Sequence, residues 1–169
     1  MDTEVLNESA YYYVVTATTP LGESAYSEEI SGTPNGGRVA YLKFNETTGT
    51  SAADSWGDNV GTLSSGAAFT ESLIDNGVSL NGSDGYVTLS EGIVSSLTDF
   101  SITTWVKLDK VDNWARLFDF GSGTSNYMFI TPKNGSNGRL RYAIKNGGGE
   151  QQINTSATLT ISRWYHLVP

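Results

Sequence analysis

Short apolar runs alternate along the chain with polar, glycine-rich intervals, and within the runs the apolar positions recur with a period of two. The clearest run is Phe100-Ser101-Ile102-Thr103-Thr104-Trp105-Val106-Lys107-Leu108. Its alternation puts Phe100, Ile102, Thr104, Val106 and Leu108 on one face and turns Trp105 and Lys107 the other way. Aromatic and β-branched residues predict further strands over residues 10–16, 26–32 and 39–44, then 78–80, 86–89, 116–120, 127–131, 140–144 and 164–168. Strands at such short intervals have the cadence of a sandwich, not of alternating strands and helices. A helical turn is expected over residues 91–97, where Ser and Gly are too frequent for a long helix.

The punctuation divides the chain into two modules. Thr19-Pro20-Leu21-Gly22-Glu23-Ser24 is a hairpin loop between the first two strands, and Pro34-Asn35-Gly36-Gly37 disfavours both regular structures. The expected division is a first piece at 1–34, a linker at 35–38 and a main domain at 39–169.

Composition sharpens this picture by exclusion. With 38% hydrophobic, 11% aromatic and 17% charged residues and 19 glycines, the chain reads as ordered and turn-rich. A net charge of -8 opposes a nucleic-acid or anionic-membrane partner, and no run approaches the roughly 20 apolar residues of a spanning helix. The absence of cysteine excludes a disulfide scaffold and thiolate metal sites while leaving the compartment open. The start Met1-Asp2-Thr3-Glu4 lacks the basic and apolar sections of a signal peptide, so an extracellular location rests on the type of module.

Tyr11-Tyr12-Tyr13-Val14-Val15, Gly22-Glu23-Ser24 and Ser27-Glu28-Glu29-Ile30, closing at Thr33-Pro34, resemble the end of a fibronectin type III domain. A complete module of that kind has about seven strands, of which this piece supplies the last two. An isolated hairpin is marginal in water, so its tyrosines read as core residues deprived of cover in preference to a sugar-stacking platform.

From Val39 onward the chain resembles the laminin-G-like, or concanavalin-A-like, jelly roll of bacterial polysaccharide-degrading enzymes. The resemblance rests on seven motifs in order. They are Tyr41-x-Lys43-Phe44-x-Glu46-x-x-Gly49-Thr50, Ala53-Asp54-Ser55-x-Gly57 with Gly61-Thr62-Leu63, Leu80-Asn81-Gly82-Ser83-x-x-Tyr86-Val87, residues 99–107, residues 116–121, residues 127–132 and residues 149–153. It implies an all-β antiparallel sandwich and a non-catalytic accessory role. The partners implied are a polysaccharide such as arabinan or a related hemicellulose, and a covalently linked glycoside hydrolase domain. The location implied is the outside of a bacterial cell, secreted or at the surface. It also implies about two to four further closing strands beyond Trp164-Tyr165-His166-Leu167-Val168-Pro169.

Candidate chemistry is sparse on the catalytic side. His166 is the single histidine and is expected to be a packing or sheet-surface residue that shares a strand face with Trp164 and Val168; no Ser lies in a Gly-x-Ser-x-Gly elbow, and no carboxylate pair is singled out by spacing. Calcium, a hard cation that collects oxygens, is weighed for the loop Asp54-Ser55-Trp56-Gly57-Asp58-Asn59, with Asp54 and Asp58 as ligands. Asp and Asn in such turns also bond their own backbone. Sugar binding asks for an aromatic ring and planar polar groups, and Trp114, Arg116, Tyr127, Arg141, Glu150, Gln151 and Gln152 are of those types. Trp114 is the expected exposed ring, while Trp56, Trp105 and Trp164 are expected to pack. The Asn-x-Ser/Thr triplets at Asn7, Asn45, Asn81, Asn134 and Asn154 are read as products of composition. The alternative role is a spacer or protein-contact module.

Overall fold

A computed structural model describes residues 9–19, 22–32 and 37–169. Residues 1–8, Pro20-Leu21 and 33–36 lie outside that description, and with them the tip of the predicted hairpin loop and half of the predicted linker. Among the described residues the protein is all-β, with antiparallel pairing throughout and no helix, as the period-two pattern requires. Among these residues no helix is long and apolar enough to cross a membrane.

The first piece is a hairpin. β1 (Tyr11–Tyr13) pairs with β4 (Ile30–Gly32), and β2 (Thr18–Thr19) pairs with β3 (Gly22–Glu23). Between these pairs the arms stay together through Ser24 N–H to Ala17 O (2.9 Å) and Ser27 N–H to Val15 O (3.0 Å). Tyr12, Tyr13, Val15, Tyr26 and Ile30 are all exposed.

In the main domain, β5 (Ser51–Ala52), β6 (Gly61–Leu63) and β9 (Val87–Thr88) form a three-stranded sheet with β6 central. β7 (Ala67–Glu71) and β8 (Asn76–Leu80) form a hairpin that places Phe69 opposite Val78. β10 (Thr104–Lys107) pairs with β15 (Trp164–Leu167). The largest sheet has the order β11 (Phe118–Ser122), β12 (Asn126–Thr131), β13 (Arg141–Asn146), β14 (Gln151–Asn154). Its centre holds most of the buried apolar residues, Met128, Phe129, Ile130, Leu140 and Ala143, while Ala52 and Leu63 anchor the smaller sheet.

Three local expectations change. Residues 39–44 make a single bridge, Leu42 to Asp54, instead of a strand, because the Asp54 carboxylate takes the Tyr41 N–H (2.8 Å) and Phe44 turns to φ 59°. Residues 91–97 form consecutive i to i+3 turns, such as Ser95 N–H to Gly92 O (2.9 Å), without closing a helix. In the run 100–108, regular pairing starts at Thr104; the alternation of covered and exposed positions holds from Ser101 to Leu108, but Phe100 is itself exposed.

Trp105 departs further from expectation. It is exposed and stacks on His166, its direct cross-strand neighbour, with ring centroids 4.9 Å apart. His166 lies on the same outward face as Lys107 and Trp164, which agrees with its reading as a sheet-surface residue.

Candidate functional site

The register of the four-stranded sheet sorts its side chains into two chemically distinct faces. One row runs Phe118, Ile130, Tyr142, Ile153 and the next Phe120, Met128, Ile144, Gln151, which makes one face apolar. Phe118 and Phe120 lie 5.5 Å apart there, and the Tyr142 hydroxyl donates to Met128 Sδ at 3.0 Å. Burial raises the Tyr142 phenol's pKa. The opposite face carries Tyr127 opposite Lys145, Asp119–Phe129–Ala143–Gln152 across the middle, and Thr131–Arg141–Asn154 at the other end.

This second face gathers the predicted sugar-binding types. Phe129 is buried at its centre, with Tyr127 stacked beside it at 5.7 Å and the Arg116 guanidinium 3.9 Å above its ring. Arg116 is steered by Asp119 (3.0 Å) and by its own bond from Nη1 to the Trp114 carbonyl (2.8 Å). Lys145 sits 5.8 Å from the Tyr127 ring and donates to Thr124 O at 3.1 Å.

Trp114 comes to the same face from the loop before β11. Its backbone takes φ 64°, a left-handed conformation uncommon for an aromatic residue, and its N–H is anchored on Lys133 O at 2.8 Å. The indole lies across Gly135, where an added Cβ would fall 2.6 Å from Nε1. Glycine is required at that position by contact. The Arg141 guanidinium stands 5.4 Å from the indole centroid, yet Trp114 remains 42% exposed.

A chain of polar contacts holds these groups in place. Glu150 meets Arg141 at 3.7 Å and accepts the Tyr127 hydroxyl at 2.7 Å. The bond to Glu150, then burial, raises the Tyr127 pKa. Arg141 Nε donates to Asn154 Oδ1 (3.1 Å), which also accepts from Asn134 Nδ2 (3.1 Å). Asn134 is fully buried; its amide also donates to Arg139 O and Asn137 Oδ1 and accepts the N–H groups of Ser136 and Asn137. A buried amide so completely paired organises the 132–140 turn and, through Asn154, the position of Arg141.

The six residues Trp114, Arg116, Tyr127, Arg141, Glu150 and Gln152 thus meet on one surface, Gln152 through its place opposite Ala143. Gln151 falls on the apolar face, opposite Ile144. Phe129, Asp119, Asn134 and Asn154 complete the arrangement without having been singled out from the sequence. For Phe129 the signal was available in its alternation with Tyr127 and Thr131. Asn134 gave no such signal, because a buried turn residue has no period to follow.

Asp54 bonds backbone N–H groups, one of the two roles weighed for it. Its Oδ1 accepts the N–H groups of Tyr41 (2.8 Å) and Trp56 (2.9 Å), and Oδ2 accepts that of Asn59 (3.1 Å). The backbone bond from Tyr41 leads the causes that hold its pKa down at about 2. This carboxylate is the anion in a nest of amides, and its lone pairs are committed to the loop. Asp58 is exposed, and no group of three or more His, Asp or Glu side chains suited to a metal ion occurs among the described residues.

Comparison with known proteins bears on the same region. The family model of the concanavalin A-like lectin/glucanases superfamily matches residues 81–168, which include β9 to β15. No curated protein matches the sequence. Among solved structures, the chain is similar to residues 221–444 of an S-layer domain-containing protein from Clostridium thermocellum, with 33% identity and a TM-score of 0.60. The match covers 74% of this chain and 60% of that one, so this chain spans less than two thirds of its neighbour's length.

Proposed function

The chain belongs to the concanavalin A-like lectin/glucanases superfamily, and from that premise we propose that it is a non-catalytic, polysaccharide-binding module of a secreted or cell-surface bacterial protein. The observation that carries the proposal is the half-exposed Trp114 ring, fixed by Gly135 and flanked by Arg116, Arg141 and Glu150. Sugar rings stack their C–H faces on such an indole, and guanidinium, carboxylate and amide groups bond the hydroxyls around it. The carboxylates of this face, Asp119 and Glu150, are each held by an arginine, an arrangement that suits fixed hydrogen-bonding groups better than a general acid and base.

The S-layer neighbour supports a cell-surface or extracellular setting in a multi-domain protein. The proposal extends to a linked glycoside hydrolase domain acting on the same polymer, with arabinan or a related hemicellulose as substrate, on the strength of the sequence resemblance. It also takes the hairpin of residues 9–32 as the closing strands of a fibronectin type III module, supported by the Tyr11–Gly32 to Tyr13–Ile30 pairing and the uncovered tyrosines. Calcium at Asp54 and Asp58 stays a separate proposal, tested by whether a chelator lowers the Tm of the chain.

Affinity electrophoresis through gels containing arabinan, xylan, galactan or no polymer tests the reading. Retardation in at least one polysaccharide gel, abolished by Trp114→Ala in a chain whose circular dichroism is unchanged, is the expected result. Equal mobility in all gels contradicts it. A spacer or protein-contact role is the second reading, favoured by the apolar face, where Ile144 and Ile153 are exposed.

A further inference from the structure

Half of the chain's 10 lysines and arginines fall between residues 116 and 145: Arg116, Lys133, Arg139, Arg141 and Lys145. One carboxylate, Asp119, lies in the same span, giving a local net charge of +4 in a chain of net charge -8. The concentration is spatial as well as sequential. Arg116, Arg141 and Lys145 stand over Phe129, Trp114 and Tyr127 on one sheet face, and the Lys133 carbonyl anchors the Trp114 backbone.

The anions near this face are already engaged. Asp119 is held by Arg116, Glu150 by Arg141 and Tyr127, and Asp112, at the start of the Trp114 loop, by Lys110 at 2.7 Å. Lys133, Arg139 and Lys145 make no salt bridge among the described residues. Three cations without a carboxylate partner therefore belong to this region, Lys145 beside the Tyr127 ring and Lys133 and Arg139 on the turn whose backbone anchors Trp114, on an otherwise acidic molecule. Such a surface attracts an anion locally while the rest of the chain repels it, which favours one orientation of approach.

We propose that the polymer bound at this face is an acidic polysaccharide, one whose sugar units carry carboxylates, with the ring stacked on Trp114 and its charge met by the cations of the 132–141 turn and Lys145. The inference rests on the polysaccharide-binding reading and narrows its ligand from neutral arabinan to a related polymer that carries uronate units. Arg141 is preorganised for it. Asn154 and Glu150 fix its guanidinium beside the indole, so little side-chain freedom is lost on binding.

The test uses the whole chain and one polymer in two charge states, polygalacturonate and the same polymer methyl-esterified, with xylan and polyglutamate as further arms. The expected result is a Kd for polygalacturonate about tenfold lower than for the esterified polymer at low salt, the gap closing as ionic strength approaches about 1 M. Replacing Lys133, Arg139 and Lys145 together by Gln is expected to close the same gap while leaving the residual affinity for the esterified polymer. Equal affinity for the two charge states, or preference for the esterified form or xylan, overturns the charge class and leaves the binding reading standing. Polyglutamate bound as tightly as polygalacturonate also overturns it, because charge without a sugar ring would then suffice. Failure to bind any of these polysaccharides overturns the charge class, and the binding reading falls with it only if arabinan and galactan gels also leave the chain unretarded.

Discussion

Two regions of this chain are rich in tyrosine and β-branched residues, and they differ in what surrounds those side chains. In the hairpin, Tyr12 is 65% and Ile30 70% exposed, and the strands that carry them pair with each other over three positions. In the four-stranded sheet, Phe129 is 6% exposed, because strands lie on both sides of β12 and Arg116 and Tyr127 cover its ring. Aromatic content is thus shared, but cover is not. A strand buries its residues only when neighbours on either side and a layer above exclude water, and a two-stranded piece supplies neither.

The comparison is broken most severely at its centre. Phe129→Ala is expected to cost about 3–5 kcal/mol, read as a lower urea midpoint, because it removes the ring beneath Arg116 and leaves a cavity. Asn134→Ala is next, at about 2–3 kcal/mol, since the Ser136 and Asn137 N–H groups lose their acceptor inside the turn and Arg139 O and Asn154 Oδ1 each lose one of two donors. Unlike a surface change, it is also expected to weaken polysaccharide binding by releasing Arg141. Tyr12→Ser and Ile30→Thr in the hairpin are expected to shift the main unfolding transition by no more than about 0.5 kcal/mol. A larger effect would mean that the hairpin is cooperative with the sheet.

A change of pH sharpens the contrast without mutation. Asp54 has a pKa of about 2 in the folded chain, below the usual 3.8, so its contribution to stability is complete above about pH 4 and is lost as pH falls toward 2. The loop 54–59 and the bridge at Leu42 should loosen first in that window, detected as faster amide exchange at Tyr41, Trp56 and Asn59. Asp54→Asn should remove the pH dependence of those three amides.

The difference between the regions also explains what the sequence disclosed. Strands β12, β13 and β15 were legible because apolar residues recur in them at sheet spacing, and the outward turn of Trp105 and Lys107 followed from the same alternation. The exposure of Trp105 was missed because residue type suggests packing for any tryptophan, whereas position on a face decides it. Six candidate residues were chosen by chemical type, and the register of the sheet together with the loop before β11 brings them to one face. Asn134 was passed over as one of several Asn-x-Ser triplets, since its role lies in a turn folded back on itself. Asp54 was read as a loop organiser or a cation ligand; the three backbone N–H groups that its carboxylate holds do not show in a string of side chains.

The most direct test of the central claim is an NMR titration of the indole N–H signals with oligosaccharides from whichever polymer retards the chain, Trp114 being assigned by its loss in Trp114→Phe. The account predicts that the Trp114 signal shifts with saturation while those of Trp56, Trp105 and Trp164 stay in place. A saturating shift at Trp105, or at none of the four, would contradict the assignment of binding to this sheet face.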